Sequence, residues 1–465
     1  MTTEIAVWED DPMSVPLAYT IRMPVPQMNN LPLAIEIIGN APDPAIYSPG
    51  TAEFRYWTAA AALVRAVSYW CDLLPHTSEW EVGTTLPVRL DAGVDLNAYY
   101  SRDEDQKGLS FFHDTVNGKT VYSGESSDVI CHELGHAILD IIRPDLYNAA
   151  SDEIAAFHES FADISAILSG LQIQSLRETV LVETHGDLRR SSRLSRLGEQ
   201  LGWAIRQVNP DKADADCLRN AANAFLYQDP TTLPISGRSS VLTSDPHSFS
   251  RVFTGAFFDA LANMLALQSL TPTEADLLRV SQEIGKLLIE ALHVAPATSD
   301  FCGQVAFHML EADKLHFDGK YNTALTNAFV SRRILSTAAM AMIRPILSSR
   351  TAVAQAMVAP EHKVSTGFLQ VTLSTASYGL RSKTLLVNVP DEGERLPTGP
   401  LGVVDSPSAE TVARSFVDYL FLRGKVDVGR FADANFGMIR ANMRGKTHRL
   451  TQTPRGLVLT RVMFE

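Results

Sequence analysis

The chain has 465 residues, enough for about two to four structural units with sizeable cores. A hydrophobic share of 45% beside 20% charged residues is a globular balance, and it excludes a disordered or low-complexity chain. The formal net charge of −13 argues against nucleic acid as the main partner, and no stretch approaches the length of a membrane span. The charge is uneven. Residues 340–465 hold 16 Lys/Arg against 10 Asp/Glu, so a basic C-terminal part follows an acidic body and could dock on it. The N-terminal run MTTEIAVWEDDPMSVP lacks the basic and apolar regions of a secretory signal. Cys71, Cys131, Cys217 and Cys302 lie far apart, with no CxxC. The expected compartment is the cytoplasm by default, with reduced thiols; export by a non-classical route remains compatible.

Residues 1–50 are Pro-rich and read as an extended arm or small lobe ending in APDPAIYSPG. Residues 51–74 predict a helix stopped near Pro75. LPVRLDA and NAYYS predict strands, and LSFFHDTVNGKTVYS predicts a hairpin turning at Asn117-Gly118. From Ser126 the period becomes helical. SSDVICHELGHAILDIIR predicts one helix ended before Pro144, and DEIAAFHESFADISAILSGL a second. Further helical stretches cover 195–208, 250–268, 272–293 and 302–314. After about residue 338 the pattern changes. FLQVTLSTASYGL, KTLLVNVP and GLVLTRVMF predict strands and SAETVARSFVDYLFL a helix, which makes 339–465 an appended α+β domain.

The chemistry concentrates in the two central helices. His132 and His136 are four residues apart, about 40° around a helix axis, so both imidazoles face one way. Two imidazoles on one face suit a borderline-soft ion such as zinc. Glu133 sits one step round, able to reach a water at that ion without displacing it. Apolar flanks (DVI before, AILDII after) predict burial, and buried His and Glu need partners. A catalytic zinc keeps three protein ligands and one open position. Glu159 and Asp163 share a face of the second helix, so Glu159 is the expected third ligand. Asp163 is the expected acceptor for the far nitrogen of His132, fixing its tautomer. Cys131 points about 100° away from its neighbour and is expected in the core.

HELGH followed by ESFAD resembles the gluzincin pattern, HExxH with a downstream ExxxD, and specifically the thermolysin-like metallopeptidases. The resemblance covers about residues 51–335. It implies a two-lobed zincin: a mixed α/β lobe over 51–165 carrying the HExxH helix, and a mainly helical lobe over 166–338. It also implies roles. Asn97 and Ala98 resemble the family's substrate-binding edge strand, whose backbone would pair with an extended peptide. Tyr147 and His247 stand where the family has donors to the oxyanion, and Arg219 where it has a substrate-binding arginine. The implied reaction is hydrolysis of a peptide or protein substrate by a zinc-activated water with Glu133 as general base. Departures are visible. His158 replaces an asparagine common in relatives, and Leu242 stands where an aspartate partner of His247 is expected, with only Asp245 near. Asp128 matches a calcium-ligand position, but the next falls on Gly170, so the calcium sites are not carried over. His113, His158 and His185 complete no ligand spacing and read as surface or core residues. Three other readings stay open: a zinc aminopeptidase, for which no GxMEN-like run is present; a zinc-retaining scaffold without activity; and a highly selective protease.

Overall fold

A computed structural model describes residues 3–15, 17–347, 353, 367–391, 407–433 and 445–465, and the architecture is mixed α+β. The N-terminal fifty residues do not form a separate arm. β1 (Glu4–Trp8) and β2 (Thr20–Pro24) make an antiparallel hairpin, and β3 (Ala34–Ile37) joins the main sheet. The reason is apolar: Ile5, Val7, Leu33, Ile35 and Ile37 all lie in the large core. Trp8 meets Phe54 edge-on at 5.6 Å on α1 (Ala52–Cys71), whose first turn is capped by the Thr51 hydroxyl accepting from Phe54 N at 3.2 Å.

The main sheet continues with β4 (Thr85–Arg89), β5 (Ala98–Ser101) and β6 (Gly108–Phe111). β3, β4 and β6 run parallel, and β5 is antiparallel to β6. The expected hairpin is β7 (His113–Val116) and β8 (Lys119–Tyr122), with Asn117 at φ 50° and Gly118 at φ 77°, the left-handed pair a two-residue turn requires. Its predicted first part, LSF, breaks off to join β6.

Then come α2 (Ser127–Ile142) and α3 (Asp152–Gly170). Ser126 and Ser151 cap them, accepting from Val129 N and Ile154 N at 3.4 Å. α3 runs unbroken through the boundary expected at 165/166. Gly135 lets the two helices approach. A Cβ there would lie 2.8 Å from the Ala162 Cα, so the Gly of HELGH brings α3 against the two histidines. The helical part adds α4 (Gln174–Thr184), α5 (Glu199–Val208), α6 (Pro246–Ala266), α7 (Glu274–Val294), α8 (Phe301–Phe317), α9 (Asn322–Ser331) and α10 (Thr337–Leu347). A two-residue ladder pairs β9 (Arg196–Leu197) with β10 (Arg219–Asn220). The helix expected over 195–208 therefore begins at Glu199, after that strand.

The appended α+β unit rests on a second sheet. It contains β11 (Phe368–Ser374), β12 (Thr384–Pro390), β13 (Val426–Asp427), β14 (His448–Thr453) and β15 (Gly456–Arg461), ordered β11-β12-β15-β14-β13. α11 (Ala409–Leu422) covers it, with Phe416, Val417 and Leu420 in one core with Leu385, Val387 and Leu457. Ala150 and Ala155 at the start of α3 belong to the same core, so this unit packs on the body. Polar contacts bind the interface: the Ser415 hydroxyl donates to Asp152 at 2.6 Å, and Arg449 pairs with Asp103. The last predicted strand, GLVLTRVMF, is not one strand. After Arg461 the chain leaves its sheet, and β16 (Met463–Phe464) pairs antiparallel with β5 as the outer strand of the main sheet. No helix among the described residues is long and apolar enough to cross a membrane.

Candidate metal centre and its cleft

α2 and α3 bring His132, His136 and Glu159 together, with one ligand atom from each within 4.8 Å of the others. His132 Nε2 is 3.4 Å from one Glu159 oxygen and His136 Nε2 is 3.7 Å from the other. The outer nitrogens are engaged elsewhere. His132 Nδ1 meets Asp163 at 2.9 Å, as expected, and His136 Nδ1 meets His158 Nδ1 at 3.2 Å. Both Nε2 atoms thus face the carboxylate, the arrangement that metal-binding imidazoles adopt when the far nitrogen sets the tautomer. His136 Nε2, Glu159 Oε2 and Glu133 Oε2 are buried without a hydrogen-bond partner. Buried polar atoms with no partner are costly, and those of His136 and Glu159, which lie in one group with His132, fit a cation.

The electrostatics agree. Burial opposes charge on His132, yet Asp163 and Glu159 push it up to about 9. Burial also works against Glu159, but His247 and His132 hold it at about 2. His136, buried beside positive neighbours, is driven well below the ordinary imidazole range. Burial lifts Glu133 to about 8. A cation placed among these groups would favour neutral imidazoles and draw the Glu133 carboxyl down.

Other expected residues fall around this centre with altered partners. His247 Nε2 is 3.3 Å from Glu159. Its Nδ1 lies 3.4 Å from Asp245, which also caps α6 by accepting from His247 N at 3.1 Å. Asp245 is therefore the orienting group that the sequence left open; Leu242 is buried and apolar. The signal was present: Asp245-Pro246 is an N-cap followed by proline at the first helical position. Arg219 points two nitrogens at Asp163, 3.1 and 2.7 Å away, and lies 3.4 Å from His132 Nδ1. It holds the group that holds His132, while still lining the cleft. Of the spare histidines, His113 pairs with Asp91, His185 ends α4 in a left-handed turn and His158 is buried in the core.

A cleft of about 540 Å³ opens beside the centre. Val129, Leu197, Leu201 and Leu218 form an apolar wall near His132 and Glu133. Tyr419, Arg423 and Lys425 of the appended unit also line it. The edge strand expected to be free for pairing is taken: Met463 is opposite Ser101 and Phe464 opposite Tyr100. The Tyr147 hydroxyl donates to the Val462 carbonyl at 2.8 Å, so it serves the last strand and not the centre. Asn97 Nδ2 reaches the Glu465 side chain at 3.4 Å.

Asp128 has acidic neighbours, but not from position 170. Asp11, Asp128 and Glu199 each bring an oxygen within 4.8 Å of the others, and Asp10 adds its charge. Burial first, then mutual repulsion, raises Asp10 to about 7 and holds Asp128 and Glu199 well above the ordinary carboxylate range. A raised carboxyl stabilises the fold below its unfolded value and loses that contribution as pH rises through its folded value. With chelator present, thermal stability should therefore fall as pH rises from about 4 to about 7. Asp11→Asn should raise the melting temperature at neutral pH and leave it unchanged in acid. Scanning calorimetry against pH checks this, and a flat profile in chelator would refute it. Millimolar calcium distinguishes shared protons from an oxygen-liganded cation, since only the latter restores neutral-pH stability.

No protein-family model matches the chain, and no curated protein matches it.

Proposed function

We propose that this protein is a zinc-dependent endopeptidase of the thermolysin-like kind, latent while its last strand occupies the edge of β5. The observation that carries this reading is the convergence of His132 Nε2, His136 Nε2 and the Glu159 carboxylate beside an unpartnered Glu133. The histidines and Glu159 would hold zinc, which when bound supplies Lewis acidity and lowers the pKa of water. The remaining work falls to the chain. Glu133 takes a proton from the attacking water and returns it to the leaving amine. His247, oriented by Asp245, donates to the oxygen of the attacked carbonyl. Tyr147 becomes free to act as a second donor when Val462 withdraws. Asp163 and Arg219 keep His132 in one tautomer. β5 binds an extended peptide through main-chain hydrogen bonds, as it binds β16. The wall of Val129, Leu197, Leu201 and Leu218 accepts an apolar side chain on the leaving-group side.

The test is a mixed peptide library incubated with wild type and Phe464→Ala, read by mass spectrometry. Each protein is assayed as isolated, after removal of metal by a chelator, and after addition of zinc. Internal cuts that vanish with chelator and return with zinc are the expected result. Cuts indifferent to chelator, or none in either zinc-loaded protein, would overturn the reading.

A further inference from the structure

Met463 and Phe464 pair with β5 in a fixed register, Glu465 lines the cleft, and the side chains of Phe464 and Glu465 enter different surroundings. The Phe464 ring stacks on His158 at 3.8 Å, with the Arg461 guanidinium 4.0 Å from its centroid. Glu465 stands at the reaction centre. Its main-chain oxygen accepts from His247 Nε2, and that nitrogen is 3.3 Å from Glu159. Residue 465 thus places its carbonyl where the attacked carbonyl of a substrate belongs. One oxygen of its side-chain carboxylate pairs with Lys425 Nζ and the other accepts from Asn97 Nδ2 at 3.4 Å. Lys425 comes from the appended unit, and its side chain is only 21% exposed. Burial lowers its pKa, with Arg423 and Lys446 adding to the effect and Asp245 and Glu159 opposing it. When the last strand withdraws, a half-buried ammonium is left facing the cleft without the carboxylate it was paired with. A substrate that restores that carboxylate binds better than one that cannot.

We propose that Lys425 and Asn97 form a subsite for a glutamate side chain on the residue whose carbonyl is attacked, so that the protein cuts after glutamate, preferring Phe-Glu. The inference rests on the endopeptidase reading. Water adds across the C–N bond, leaving a new carboxylate on the glutamate and a free amine on the next residue. The appended domain then acts as part of the active site, setting selectivity through Lys425. Glu465 is held because it presents the side chain that the subsite reads.

The test uses the full chain carrying Phe464→Ala, which loosens the last strand, alone and combined with Lys425→Met or Lys425→Arg. Two internally quenched peptides are compared, Val-Met-Phe-Glu-Leu-Ala and its Gln counterpart. The Glu peptide should be favoured about tenfold in kcat/KM, since a site built for a charged partner penalises its absence. Lys425→Met should bring the ratio near one, and Lys425→Arg should preserve most of it. A ratio near one before Lys425 is changed, or one that survives Lys425→Met, overturns the proposal. If nothing is cut by any variant, the endopeptidase reading fails, and binding alone judges the subsite. Labelled, C-terminally amidated Thr-Arg-Val-Met-Phe-Glu should bind the Phe464→Ala chain more tightly than its Gln counterpart by fluorescence anisotropy, with the difference lost in Lys425→Met. Equal binding, or none, removes the subsite.

Discussion

Glu133→Gln should lower peptide hydrolysis by about 10³-fold or more while leaving bound metal unchanged. Glutamine keeps the shape of the side chain but cannot take a proton from water. Glu133 is outside the group formed by His132, His136 and Glu159, so the metal should remain at one equivalent. The substitution also carries a favourable stability term. Burial raises the Glu133 carboxyl to about 8, so its ionised form costs stability as pH rises toward that value. A neutral amide removes the cost. The variant should therefore melt no lower than wild type in metal-free buffer near neutral pH, and lost activity will not be attributable to unfolding. Metal analysis, calorimetry and a quenched-peptide assay on the same preparations check all three expectations. Activity within tenfold of wild type would remove Glu133 from the role of base.

That the grouping of His132, His136 and Glu159 can be read from sequence has a local cause. The four-residue spacings of His132 with His136 and of Glu159 with Asp163 each lie on one helix face, and helical geometry alone orients them. The apolar flanks then bring the two faces together, with Gly135 permitting close approach. The Asn117-Gly118 turn was legible for a similar reason, because its backbone angles depend on two adjacent residues. Features built from distant segments were not legible. The acidic neighbours of Asp128 come from Asp10, Asp11 and Glu199, and no spacing along one element connects them. Residues 1–50 read as an arm because their apolar runs are short, yet β3 completes the edge of the main sheet. Asp245 is near His247 in the sequence, but its turn toward the His247 ring, 3.4 Å from Nδ1, depends on the loop entering α6 and not on any spacing within one element.

The last strand shows the limit most clearly. GLVLTRVMF has the composition of one continuous strand, and nothing in its pattern indicates that β15 and β16 pair with different sheets. Partner choice is set by what each half buries. Leu457 and Leu459 enter the core of the appended unit, while Phe464 enters that of the body. The basic balance of the C-terminal part gave only a general expectation of docking. The structure specifies it through Arg449 with Asp103 and the Arg461 side chain donating to the Tyr147 carbonyl at 3.0 Å.

Loosening that strand should raise activity more than any other change outside the centre. Phe464 is 2% exposed and stacked between His158 and Arg461. Removing a buried phenyl ring costs about 3 kcal/mol or more, and here nearly all of it falls on the closed arrangement, since the open one leaves the ring in water. A shift of about 3 kcal/mol corresponds to roughly 10²-fold in the ratio of open to closed molecules. Only open molecules present β5 to a peptide, so apparent affinity scales with their fraction. Phe464→Ala should therefore raise kcat/KM by about ten- to a hundredfold, with the gain in KM and little change in kcat once peptide saturates. Hydrogen exchange gives a readout independent of turnover: amides of Ala98–Ser101 that pair with β16 should exchange faster in the variant, while those of α2 and α3 should not. A synthetic peptide with the sequence of 458–465, supplied in trans, should inhibit the variant and have far less effect on the wild type, whose own strand is present at a high effective concentration. If Phe464→Ala matches wild type in KM and in exchange at β5, the strand is a structural edge and no barrier to substrate.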